Sequence, residues 1–186
     1  MKALQKEINN GNYELAEGGL YLPQSKVKIG GYFITDVNGE DKRIEKNLVV
    51  DEGLVYVLNT ALTAVSQNAS WFVSIYKNNY TPVPADTAAL FPGVGVANEA
   101  TTEYDEATRP SWTPDGSTLA TATNSASPAA FTLNTTVSVY GAFLVSTSVK
   151  GGTTGTLCAA SKFTAVRNLV AADVLNITYQ LTIADA

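Results

Sequence analysis

The densest group of titratable side chains is Glu99, Glu103, Asp105 and Glu106, gathered around Tyr104 with Arg109 close behind. Two facing carboxylates can act as acid and nucleophile on a glycosidic bond, and several together can hold a hard cation. This run lacks the regular spacing of a calcium loop, and Arg109 is near enough in sequence to neutralise one acid. The plainer expectation is a solvated loop or an ion pair between subunits. Lys150-Gly151-Gly152-Thr153-Thr154-Gly155-Thr156 has the glycines of a phosphate loop. It lacks the Lys-Ser/Thr pair that must open a helix, so a hairpin turn is expected there. Trp71, Phe72, Tyr76 and Tyr80 could stack on sugars or bases. Alternating aromatics in a strand more commonly serve as core on one face and interface on the other.

The chain contains no histidine, which removes the commonest general base and metal ligand along with every Ser-His-Asp or Cys-His arrangement. Cys158 is the sole cysteine, and its setting, TLCAA, is that of a small buried hydrophobe. Four Asn-X-Ser/Thr matches, at Asn68, Asn79, Asn134 and Asn176, carry no weight without a secretory signal, and the opening MKALQKEINN does not read as one. These residues assign no catalytic, cofactor-binding or metal site, and a non-enzymatic protein without cofactor is expected.

Charge is unevenly spread. Of 29 charged residues, 16 fall within the first 52 positions. The remainder is a polar but nearly uncharged body rich in Thr, Ser, Ala, Val and Gly, a composition typical of β-sandwiches. A surface with few charges does little to resist self-association or docking on a large partner. The net charge of −5 comes with no basic stripe, so nucleic acid is not an expected partner. No run of 18 apolar residues is present, so no membrane partner is expected either.

The elements that position these groups are mostly strands. The exception is 51–62, DEGLVYVLNTAL, where Leu54, Val57, Leu58, Ala61 and Leu62 recur at helical spacing and predict an apolar stripe packed on a sheet. Asp51 is the expected N-cap and Glu52 adds a second acid to the first turn. Asn38-Gly39, between strand candidates 32–37 and 44–50, predicts a type I′ hairpin. Segment 70–77 reads as a strand, proline-containing 78–95 as a long surface loop, and 113–128 as turn or edge structure. Further strands are predicted over 131–145, 156–164 and 174–183, with Gly141 marking a bulge or a close approach by the helix. The sum is an all-β sandwich over 23–186 with one short lateral helix. Residues 1–22 show no sustained period, and Asn9-Asn10-Gly11-Asn12 and Gly18-Gly19 are loop signals, so this segment predicts an extended N-terminal arm.

Four blocks in order, NLVVDEGLVYVLNTAL (47–62), WFVSIYKNNYTPVPADTAA (71–89), TEYDEATRPSW (102–112) and VYGAFLVSTSVKGGTTGTLCAASKF (139–163), resemble a family of virion structural proteins of tailed bacteriophages. These are small β-proteins similar to capsid decoration, or cement, proteins. The resemblance covers roughly residues 20–186 and includes no catalytic signature. It implies a jelly-roll-like sandwich that oligomerises and binds the outer surface of the major capsid shell.

The resulting expectation is a homo-oligomeric decoration protein on the virion surface, made in the host cytoplasm, with the major capsid protein and further copies of itself as partners. In this reading the arm staples capsid or neighbouring protomer through Leu4, Ile8, Tyr13, Leu15, Leu20 and Tyr21, ordering on contact. The alternative is a carbohydrate-binding or depolymerising module of a head or tail appendage, using the aromatics and the acidic cluster.

Overall fold

Asn38 and Gly39 both adopt positive φ, 54° and 83°, as a type I′ turn requires, and they close the ladder as predicted. The computed structural model describes residues 13–15, 21–23, 27–116 and 120–185. Within these, β3 (Val27–Val37) turns directly into β4 (Glu40–Lys46), with Val37 opposite Glu40. Pairing therefore starts immediately after the glycine, and the expected strand 44–50 is divided: β4 stops at Lys46 and β5 is Leu48–Val49.

Contacts divide the chain into two units, Ile29–Thr182 and Met1–Lys28 with Ile183–Ala186. In the second of these, β1 (Tyr13–Leu15) pairs antiparallel with β2 (Tyr21–Pro23), Leu15 opposite Tyr21. The expected arm thus contains a ladder here. The Gly18-Gly19 loop signal falls between its two strands.

The larger unit is the expected β-sandwich. One sheet runs β4-β3-β12 (Val174–Asp185)-β8 (Thr121–Thr123), with β9 (Ala129–Thr132) also on β12. The other runs β5-β11 (Leu157–Leu169)-β10 (Val137–Val145)-β6 (Trp71–Tyr76)-β7 (Ser111–Trp112). Period-two alternation in β12 sends Leu175, Ile177 and Tyr179 into the space between the sheets, where they meet Phe33, Val73, Ile75 and Val139. The Phe33 and Tyr179 rings lie 4.6 Å apart.

The opposite face of β6 and β10 is buried as well, which the sequence pattern did not show. The proline segment after β6, expected as a surface loop, folds back over this sheet and inserts Phe91 into a second core with Tyr76, Phe143, Val145 and Leu157. Phe91 meets Tyr76 and Phe143 edge to face at 5.5 and 5.1 Å. Its backbone is satisfied locally, for instance Asn78 N–H to the Ala97 carbonyl and Asn98 N–H to that of Gly93. Prolines prevent this segment from forming a ladder but do not prevent it from forming a cover. Gly141 does mark a bulge in β10. The close approach there is by the Tyr76 ring and the Ser161 carbonyl, where a Cβ would collide, and the helix is not involved.

Candidate interaction surface

The acidic cluster resolves into separate structural bonds. Glu99 and Arg109 form a bidentate ion pair, Nε to Oε1 at 2.7 Å and Nη2 to Oε2 at 2.5 Å, with both side chains 0% exposed. The Ser74 hydroxyl and the Gly151 amide also donate to the Glu99 carboxylate, at 2.6 and 2.9 Å. Arg109 donates further to the carbonyls of Thr147 and Gly152. One buried charge pair thereby ties β6, the acidic loop and the β10–β11 turn together. Glu103 pairs with Lys77 at 2.6 Å and accepts from the amides of Thr101 and Thr102. Burial alone would raise its carboxyl. The bonds from Lys77 and Thr102 prevail and hold it below the ordinary carboxylate range.

Glu106 accepts from the Thr132 amide and Asp105 from the Asn134 side chain. Tyr104 is buried against Phe131, with the Lys150 ammonium 3.6 Å from its ring centroid. For Glu99 and Glu103 the expectation of a solvated loop or intersubunit pair is corrected: their partners are internal. The glycine loop is the expected turn between β10 and β11, with Gly151 and Gly155 at positive φ. The aromatics are also occupied: Trp71 packs edge to face on Tyr56 at 5.1 Å, and Tyr80 on Phe91 at 5.8 Å.

A depression of about 460 Å³ is lined by Asp41, Arg43 and Arg167, among others. Its charges serve one another: Arg167 donates to Asp41 at 2.5 Å and to the Thr35 hydroxyl at 2.6 Å, and Arg43 donates to Asp41 at 2.6 Å. Bonding from Arg43, with the Arg167 charge beside it, holds the Asp41 carboxyl below its ordinary value. Among the described residues no three His, Cys, Asp or Glu side chains gather as a metal cage.

The helix α1 spans Asp51–Leu62 as predicted, but it sits the other way round. Val50 is its N-cap without a side-chain bond, and Asp51 is the first helical residue. Glu52 reaches across to accept the amides of Ala88 and Leu157, both at 2.8 Å. Gly53 is the one buried residue of α1, resting on the Cys158 carbonyl with no room for a Cβ. Tyr56 continues this inward face, its hydroxyl accepting from the Asn68 amide at 2.7 Å.

The predicted packing stripe points outward. Leu54, Leu58 and Leu62 are 39, 57 and 78% exposed, joined by Val55 at 56% and Val65 at 51%. Ala61 is exposed too, and of the predicted set only Val57 is half-buried. Packing of Leu54, Leu58, Ala61 and Leu62 on the sheet is therefore corrected. The physical reason is that the sheet face is already occupied by Phe91 and its segment. The helix seats at the sheet margin through its smallest residue, and Glu52 satisfies two amides there. Sequence reading missed Glu52, Gly53 and Tyr56 as anchors. A glycine inside a short helix, three residues before a tyrosine, was the available signal of close approach.

Beside the first turn, where the Asp51 amide donates to the Pro84 carbonyl, the covering segment exposes Val83, Leu90 and Val94. From residue 53 to residue 98 only Lys77 and Asp86 are charged. Lys77 is paired with Glu103, and Asp86 is buried, accepting from the Tyr80 hydroxyl. The outward side of α1 is thus apolar, and the stretch that follows it carries no unengaged charge up to residue 98. Of the expected arm contacts, Tyr13, Leu15 and Tyr21 lie on the β1–β2 ladder, while Leu4, Ile8 and Leu20 fall outside the described residues.

No protein-family model matches the chain, and no curated protein matches it.

Proposed function

We propose that the chain is a non-enzymatic structural component of a tailed-bacteriophage virion. In this reading it is a capsid decoration protein, made in the host cytoplasm, that binds the outside of the major capsid shell as a homo-oligomer. Its partners are the major capsid protein and further copies of itself; nucleic acid and membrane have no part in it. The observation that carries the reading is the outward apolar face of α1, fixed in place by Glu52, Gly53 and Tyr56. Contiguous exposed apolar surface on a folded body marks adhesion to another macromolecule. The order of the four sequence blocks adds the virion context. The carboxylates and aromatics that a sugar-processing module would use are engaged inside the fold.

Adding purified protein to capsid shells that lack it, then sedimenting the shells, tests this. The protein is expected to pellet with the shells at a fixed stoichiometry. Deletion of residues 1–22 is expected to leave melting within a few degrees and weaken attachment severely. A full chain that stays in the supernatant while binding or cleaving saccharides on a glycan array would overturn the reading.

A further inference from the structure

The tip of the β3–β4 hairpin carries the only Asn-Gly pair among the described residues, Asn38-Gly39. We infer that Asn38 is a covalent modification site, deamidated by the Gly39 backbone nitrogen when the hairpin opens and kept intact by Asp36 and Asp173 while it is closed. This holds whatever the chain attaches to.

The reaction needs nothing beyond water. The Gly39 amide nitrogen loses its proton and attacks Asn38 Cγ, and the new N–Cγ bond closes a five-membered imide. The Cγ–Nδ2 bond breaks, and the Gly39 proton, passed through solvent, leaves with that nitrogen as ammonia. Water then opens the imide. Addition at Cγ gives aspartate, while addition at the main-chain carbonyl of residue 38 gives isoaspartate, in which the chain runs through the side chain. Glycine permits the attack because no Cβ stands beside its nitrogen.

In the closed hairpin both reacting groups are engaged. The Gly39 N–H donates to Asp36 Oδ1 at 2.9 Å, so the proton that must leave is held beside an anion. Asp36 is itself fixed by the Asn176 side chain, which donates to the same oxygen at 2.8 Å. The Asn38 amide is gripped at both ends: Nδ2 donates to Asp173 Oδ1 at 2.9 Å, and Oδ1 accepts from the Val174 amide at 2.8 Å. The Asn38 N–H donates in turn to the Val174 carbonyl at 2.9 Å. Cγ therefore cannot swing onto the Gly39 nitrogen until the bonds to Asp173 and Val174 break. Those bonds are exposed to solvent, so the tip opens more readily than the strands behind it.

Deamidation is irreversible, and it unlatches the tip. A carboxylate at position 38 meets the Asp173 carboxylate where a hydrogen bond had been, and the Val170 amide holds that acid below its ordinary value. Two charges so close repel each other. Isoaspartate adds a backbone atom to a two-residue turn whose register sets Val37 opposite Glu40.

Peptide mapping by mass spectrometry, after incubation at neutral pH and physiological temperature, is the test. Trypsin isolates Asn38 in peptide 29–42, apart from Asn10-Gly11. The folded chain is expected to deamidate at Asn38 at least about tenfold more slowly than the same chain in urea, because only the open fraction reacts. Asp36→Ala and Asp173→Ala should each quicken the folded chain's reaction several-fold. Asp173→Asn should quicken it less, since an amide oxygen can still accept from Asn38. Asp105→Ala, whose acid bonds Asn134 away from the hairpin, should leave the rate unchanged. A check without variants uses low urea concentrations, where the wild-type rate should rise in step with hydrogen exchange at the Val174 amide. Asn38→Asp should melt below the wild type, with a gap that narrows in high salt. Deamidation as fast in the folded chain as in urea overturns the inference, as does an Asn38 that stays unreactive in urea. A rate indifferent to both Asp36→Ala and Asp173→Ala overturns it too, and an Asn38→Asp variant as stable as the wild type overturns the unlatching.

Discussion

Gly53 rests on the backbone carbonyl of Cys158, and no Cβ fits between them. This contact decides which side of α1 faces the sheet and so which side faces outward. Gly53→Ala must push the helix off β11 or strain it, at a cost of about 1–3 kcal/mol, although alanine is the better helix former. Leu58→Ala, on the exposed side, should cost less than about 0.5 kcal/mol in the monomer. Urea denaturation of the two variants at low protein concentration checks the contrast, and a larger loss at Leu58 would mean the orientation is wrong.

Arg109 and Glu99 form a pair whose halves depend on each other. Removing one partner leaves the other charge buried and alone, so Arg109→Met should cost about 3–5 kcal/mol. The double variant Arg109→Met with Glu99→Met should recover much of that loss, since both charges are then gone. Equilibrium unfolding of the single and double variants measures the difference. An additive double variant would contradict the pairing.

Glu103 gives the fold an acid limit. Its carboxyl lies below the ordinary value of 4.5 in the folded state, through Lys77 and backbone amides acting against burial. Above the unfolded value the carboxylate is charged in both states and its contribution is complete. As pH falls below about 4.5 the unfolded chain takes up the proton first, and stability is lost on the way down. Melting curves from pH 6 to pH 3 should show the wild type's advantage over Lys77→Met shrinking steadily. A gap independent of pH would remove Glu103 from the explanation.

Phe91 anchors the covering segment from the middle of its second core. Phe91→Ala should cost about 3–5 kcal/mol, and it should open residues 78–98 to limited proteolysis well before global unfolding. Resistance equal to the wild type would show that the segment's own hydrogen bonds suffice to hold it.

Much of the sandwich was legible because its signals are local. Asn38-Gly39 declares its turn through positive φ, and Leu175, Ile177 and Tyr179 declare an inward face by strict alternation. The bounds of α1 were equally plain, but its orientation was not. Periodicity reports that Leu54, Leu58 and Leu62 share a side, and it is silent on whether that side meets this chain or another. Their exposure depends on Phe91 reaching the sheet first, a contact between distant segments of the chain. Arg109 is near enough in sequence to announce that it neutralises one of the acids, and it pairs with Glu99. The further partners Ser74, Lys77 and Gly151 were hidden, because segments remote in sequence bring them to Glu99 and Glu103.

Cryo-electron microscopy of the intact particle tests the central claim most directly. The expected result is density for a sandwich of two five-stranded sheets carrying the helix Asp51–Leu62 on the outer surface of the shell, present in many symmetric copies and touching the major capsid protein. A shell free of that density, or the same fold found only at a tail appendage, would contradict it.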